Sequence, residues 1–237
     1  MYLPDVRHLI VEIFSMTTVI PYQIFVKEVI SEFRTRYALN ALLMFVVSTL
    51  AMVVFSLGDN TVSYEILCGM LWIIIFFSAM SGLSRTFVTE EERGTSLTLR
   101  LLTKATNVYI GKLIYNIVLI TSLSVFISVL YQLVIDGFVV QSFAIFWTTI
   151  ILGSIGLAGA STILAAIIAK ANTKGTLFPV LAFPILLPLL LTCIKTTILA
   201  VEGAFFIEAI KDFQILISFI IVMVVASLML FSFVWND

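Results

Sequence analysis

Apolar residues fall into six long blocks, 38–57, 66–83, 113–135, 143–169, 177–199 and 213–234, separated by stretches that hold nearly all the charge. A helix crossing about 30 Å of hydrocarbon needs about 17–25 mostly apolar residues, and the blocks meet that requirement. They are apolar on every face, whereas strands of a membrane β-barrel alternate over segments of about ten residues. The pattern predicts an all-α integral membrane protein with six transmembrane helices. No polar stretch between the blocks reaches the about 50 residues of the smallest soluble domain. Residues 22–237 are therefore read as one membrane domain, with no fused catalytic or nucleotide-binding unit.

A different period precedes the first block. Tyr22, Phe25, Val26, Val29, Ile30, Phe33 and Tyr37 recur at helical spacing, while Gln23, Lys27, Glu28, Ser31, Glu32, Arg34 and Arg36 fill the opposite side. This predicts an interfacial helix over 22–37, its apolar stripe in the lipid and its charged face in water. Residues 1–21 show no such stripe up to Pro21; Glu12 interrupts their apolar stretch and no small-residue cleavage site follows. They are read as a poorly defined, loosely ordered N-terminal extension without an assigned function, not as a secretory signal. After the fifth block, Lys195–Asp212 is amphipathic and predicts short external helices, with Phe205 and Phe206 at the far membrane surface.

Composition agrees with the pattern: 61% of residues are hydrophobic, 11% are charged and the mean hydropathy is +1.17, against about 25% charged in soluble domains. A net charge of −1 argues for no nucleic-acid partner. Lysine and arginine concentrate before the first block, then at Arg85, Arg93, Arg100, Lys104 and Lys112, then at Lys170 and Lys174. Because cytoplasmic loops retain positive charge, both termini are expected in the cytoplasm. The absence of an Arg/Ser-rich leader favours a bacterial cytoplasmic (inner) membrane. Cys68 and Cys193 lie inside apolar blocks without a CxxC spacing and read as free thiols. His8 is the sole histidine, and no GxxxxGK[ST] is present to cradle ATP. The blocks carry no interior acid or base, which disfavours proton- or sodium-coupled transport. The chain reads as a non-catalytic subunit with no catalytic residues, metal or directly bound cofactor.

The segment 84–112 between the second and third blocks carries the most information. Thr89 with Glu92 fits a capping box, and Glu90, Glu91 and Glu92 complement the positive end of a helix dipole. Gly94 permits a bend or a close approach, and beyond it Leu97, Leu101 and Leu102 make an apolar ridge beside Arg93, Arg100 and Lys104. That is a docking surface, and Glu90, Glu91, Glu92, Arg93, Gly94, Thr95, Leu97 and Leu101 are its candidate contacts. In the fourth block Gly153, Gly156 and Gly159 leave a small-residue face for helix packing. In the fifth, Pro179, Pro184 and Pro188 each remove a backbone donor and form a candidate hinge or gate.

These pieces together resemble the permease subunits of the ABC-2 transporter class, and within it the cytochrome c maturation protein B family, CcmB. The resemblance runs from about Gln23 to the sixth block; its most specific parts are Gly82–Leu102, similar to that family's coupling loop, and Gly153–Leu191 with Lys174-Gly175 and Pro184-x-x-x-Pro188. Ser84 departs from the acidic residue often found in the family before the arginine matched by Arg85. The resemblance implies a subunit that works with a separate CcmA-like ATPase, CcmC-like and CcmD-like membrane proteins and a CcmE-like haem chaperone. ATP would then sit on the ATPase and haem on the partners, with hydrolysis releasing the haem-loaded chaperone. Two other readings keep the membrane architecture: a conventional ABC-2 exporter of a lipid, glycan or small hydrophobic compound, and a passive scaffold for the ATPase.

Overall fold

A computed structural model describes residues 6–35, 37–58, 62–83, 86–88, 90, 94–95, 99, 101–170 and 177–236, and the side chains of all of these except 6–19, 35, 37–38, 170, 177–179 and 236. Among the described residues there are seven long helices and no strand: α1 (Val6–Thr35), α2 (Tyr37–Leu57), α3 (Tyr64–Leu83), α4 (Ala105–Val134), α5 (Phe143–Lys170), α6 (Leu177–Glu202) and α7 (Phe206–Asn236). Six of them, α2 to α7, are long and apolar enough to cross a membrane. Helix satisfies every backbone donor and acceptor within the segment, which hydrocarbon demands because it supplies no water.

The core forms around α5. Its spanning window is 78% buried, against 17% for the peripheral α2 and α7. Two glycines explain how neighbours approach so closely. A Cβ on Gly153 would lie 2.3 Å from Trp72 of α3 and 2.8 Å from the Cys193 sulfur of α6, and one on Gly156 would lie 2.7 Å from Leu189. Gly159 is different, since a Cβ there would meet Val224 at an ordinary 3.7 Å. Small residues replace the hydrophobic effect as the means of helix association in lipid, through close van der Waals contact. Both Cys68 and Cys193 are free and buried.

Four expectations change. The N-terminal helix does not begin at Tyr22: α1 runs unbroken from Val6 through Pro21 for 30 residues. Pro21 is buried where α1 crosses α4, and a Cβ on Gly111 would come within 2.7 Å of both the Pro21 carbonyl and Ile24. The charged side of α1 is solvated only in part: Gln23, Lys27 and Arg34 are exposed, but Glu28 is turned inward. Glu28 faces α4, whereas Tyr22, Ile30 and Phe33 are exposed. Beyond α6 there are no separate external helices, because α6 continues to Glu202, Gly203 turns the chain at φ +80, and α7 starts at Phe206. Phe205 and Phe206 are exposed at this turn. Finally, the spans do contain ionisable groups: Lys112 lies within α4, Lys195 within α6 and Asp212 within α7. Lys112 and Asp212 each stand one residue before an apolar block, and Lys195 lies inside the fifth block near its end.

Candidate functional site

Charge converges at the end of the bundle where α1, the start of α4 and the segment after α3 meet. Lys112 is fully buried, and burying an ammonium is costly unless it is paired. It is paired on three sides. Its Nζ donates to the Thr86 carbonyl at 2.7 Å and to Glu28 Oε1 at 3.0 Å, and lies 3.0 Å from Glu90 Oε2. The Phe87 ring centroid stands 4.8 Å from the same ammonium, a cation–π contact.

A second lysine closes the set. Lys27 bridges Glu28, at 3.1 Å, and Glu90 from the partly exposed side. Two cations and two carboxylates make the cluster neutral, which is what burial at a membrane edge requires. Burial by itself opposes the Lys27 charge, but Glu28 and then Glu90 outweigh it and hold the Lys27 pKa above the usual lysine value. Burial likewise opposes the Glu28 charge, and the Lys112 and Lys27 ammoniums overcome it and hold the carboxyl below the usual glutamate value.

The same segment is held from other directions. Thr86 Oγ1 donates to Asn116 Oδ1 at 3.3 Å, and Asn116 Nδ2 donates to Thr162 Oγ1 of α5 at 2.8 Å. Phe87 packs beside Phe231 and Trp235 of α7, with Tyr109 of α4 against Phe231. Thr86, Phe87 and Glu90 are therefore tied to α1, α4 and α7, and through Asn116 to α5.

Of the residues singled out in this loop, Glu90 is 7% exposed and turned inward, so its carboxylate anchors the segment and leaves little surface for a partner. Gly94 has φ +66 with open space where a Cβ would stand, and the Thr95 N–H donates to the Glu90 carbonyl at 3.0 Å. The left-handed backbone at Gly94 gives the glycine a conformational reason rather than one of close approach. Thr95 is exposed, as are Leu101 and Leu102, at 84% and 73%. Thr89, Glu91, Glu92, Arg93 and Leu97 lie outside the described residues, so the capping box and part of the ridge do too. Lys27, Glu28 and Lys112 are not among the site residues that the sequence pattern predicts. Their signal was weak: one lysine at the first turn of an apolar block, and a Lys-Glu pair on a helix that looked solvated.

Elsewhere, Pro184 and Pro188 lie inside α6 and are exposed. Pro179 sits in the first turn of α6, where a missing N–H breaks no intrahelical bond. Among the described residues no three His, Cys, Asp or Glu side chains converge as a metal-binding group.

Six apolar helices packed about the glycine-faced α5, with one loop keyed into the bundle by buried charge, define a multi-pass membrane protein. Comparison with known families gives it a family. A model of CcmB protein matches residues 19–236, nearly the whole chain, and the chain belongs to the CcmB family. Family membership implies a haem-exporter ABC permease role in cytochrome c maturation, in a multi-pass inner-membrane setting. No curated protein matches the chain.

Proposed function

We propose that this chain is the membrane subunit through which a CcmA-like ATPase does mechanical work on a cytochrome c maturation complex, releasing a haem-loaded CcmE-like chaperone from CcmC-like and CcmD-like partners. In this reading the ATPase binds ATP and the partners carry haem. The loop end of the bundle and both termini face the cytoplasm, as the distribution of lysine and arginine favours.

One observation carries the proposal: Thr86 and Glu90 are fixed by the cluster of Lys27, Glu28 and Lys112, while Leu101 and Leu102 further along the same segment are exposed. A segment that is anchored where it leaves α3 and presents exposed leucines just before α4 suits the transfer of force from a soluble motor into helices. Typical coupling free energies between sites are about 1–3 kcal/mol, and a root held by a buried ion cluster bears such a load without rearranging.

The test is recovery of the ATPase with tagged protein from native membranes, with partner mass spectrometry and a haem spectrum. Burying two leucines at a docking site is worth about 1.5–3 kcal/mol each. The pair Leu101→Asp and Leu102→Asp should therefore lower ATPase recovery at least tenfold while the protein stays in the membrane. Undiminished recovery, or a complex with no ATPase in the parent protein, would defeat the reading.

A further inference from the structure

Helix α6 is built in two unlike halves. From Leu189 onward it is fastened. Leu189, Cys193, Thr196, Thr197 and Ala200 are buried. The Trp72 indole donates to Thr197 Oγ1 at 2.9 Å, and Lys195 Nζ donates to Asp212 Oδ1 of α7 at 2.8 Å. The Ala200 carbonyl accepts from the backbone N–H groups of Gln141 and Ser142, at 3.1 and 2.9 Å. Ser142 Oγ donates to the Ala204 carbonyl at 2.7 Å, and Tyr64 donates to Glu202 at 2.9 Å. The far end of α6 is thus bound to α3, to α7 and to the turn that leads into α5.

The half nearer the loop end is the opposite. Between 180 and 188 only Ala182 and Leu186 are buried, and the other residues are exposed. Among the described side chains there, the directional contact is a ring pair, Phe76–Phe183 at 5.8 Å. Pro184 and Pro188 lack N–H groups, so the carbonyls of Val180 and Pro184 lose their helical donors. Directly beyond the second proline, Leu189 rests on Gly156, where a Cβ would be only 2.7 Å away. The helix therefore changes from weakened and free to intact and clamped at one point.

We infer that α6 works as a lever, bending over Pro184–Pro188 with Leu189 on Gly156 as its fulcrum, so that the 177–188 half moves while the 189–202 half stays fixed. A kink change of about 20° acting over the seven residues from Pro188 to Leu181, at about 1.5 Å each, displaces the free half by about 3–4 Å. The inference rests on the ATP-driven reading above for its driving force, but the weakness of the hinge itself does not.

Pairs of nitroxide labels on the full chain in nanodiscs, read by double electron–electron resonance, test it. One pair is Leu181→Cys with Val118→Cys, on the free half and the exposed side of α4; the other is Leu191→Cys with Val129→Cys, on the fastened half. In the resting protein the first distance distribution should be about twice as broad as the second. Trapping the ATPase-bound complex with ATP and vanadate should shift the first by about 3–4 Å and leave the second in place. Pro184→Ala combined with Pro188→Ala should narrow the first distribution. Equal widths at rest, or equal shifts at both pairs, would overturn the lever. If no ATPase associates, the functional reading fails and the resting widths still decide the hinge.

Discussion

Replacing Lys112 with methionine tests the cluster most directly. Methionine matches the length and much of the volume of the lysine stem, so the change removes charge with little loss of packing. Lys112 is fully buried, and the Glu28 and Glu90 side chains it neutralises are only 15% and 9% exposed. The variant leaves those two carboxylates sharing Lys27, whose own side chain is 47% exposed, and it strips the Thr86 carbonyl of its donor. Breaking a buried pair by removing one partner costs about 3–5 kcal/mol, a large part of the about 5–15 kcal/mol that holds a domain together. For a chain of this size that corresponds to a drop in melting temperature of roughly 6–20 °C. Thermal melting in mild detergent measures it. The diagnostic control is Lys112→Met with Glu90→Gln, which removes one charge of each sign. Groups in one ion network do not add independently, so the double variant should be more stable than the sum of the two single losses. A single-variant loss under about 1 kcal/mol, as for an exposed pair, or strict additivity, would refute the description of this cluster as a buried, interdependent network.

Three further outcomes follow from the geometry. Gly153→Ala forces a Cβ to 2.3 Å from Trp72 and should lose about 1–3 kcal/mol by overpacking, whereas Gly159→Ala, with 3.7 Å of room, should be near neutral; parallel melts decide between them. Gly94→Ala holds a side chain at φ +66 and should loosen the loop by about 1–2 kcal/mol, with Gly94→Asn milder; faster amide exchange at Thr95 is the readout. Acid should release the loop and ordinary alkali should not. The Glu28 pKa is held down, so its stabilisation is present above the ordinary value of 4.5 and is lost as pH falls through its lower folded value. The Lys27 pKa is held up, so its share is present below 10.5 and lost only above that. Amide exchange over residues 86–95 should accordingly stay flat from about pH 5 to 9, once its intrinsic pH dependence is divided out, and rise below pH 4.5; a step near neutrality would contradict this assignment.

The six spanning helices were legible because lipid imposes one crude rule, about 20 apolar residues per crossing, and the chain obeys it six times. The small-residue face of α5 was legible as a pattern, but its selectivity was not: Gly153 and Gly156 bear close contacts and Gly159 does not, a difference set by which neighbours face each turn. The charged cluster was hidden for a related reason. Hydropathy treats a charge as the end of a span, so it places Lys112 in the loop and Asp212 in an external segment, although both lie within helices. What makes burial tolerable for Lys112 is Glu28, 84 positions away in sequence, and no local window contains both.

The same blindness hides the inward contact of α1. An amphipathic stripe says that one side of a helix differs from the other, but not which side faces the bundle. The apolar side was assigned to lipid on general grounds, and Tyr22, Ile30 and Phe33 are indeed outward-facing. On the charged side, Gln23, Lys27 and Arg34 are exposed, but Glu28 meets α4 because a buried lysine there requires an anion. One buried cation thus fixes the rotation of α1, brings Glu90 inward and sets the root of the loop. The residue that orients this end of the molecule is therefore one that hydropathy alone places at the margin of a span.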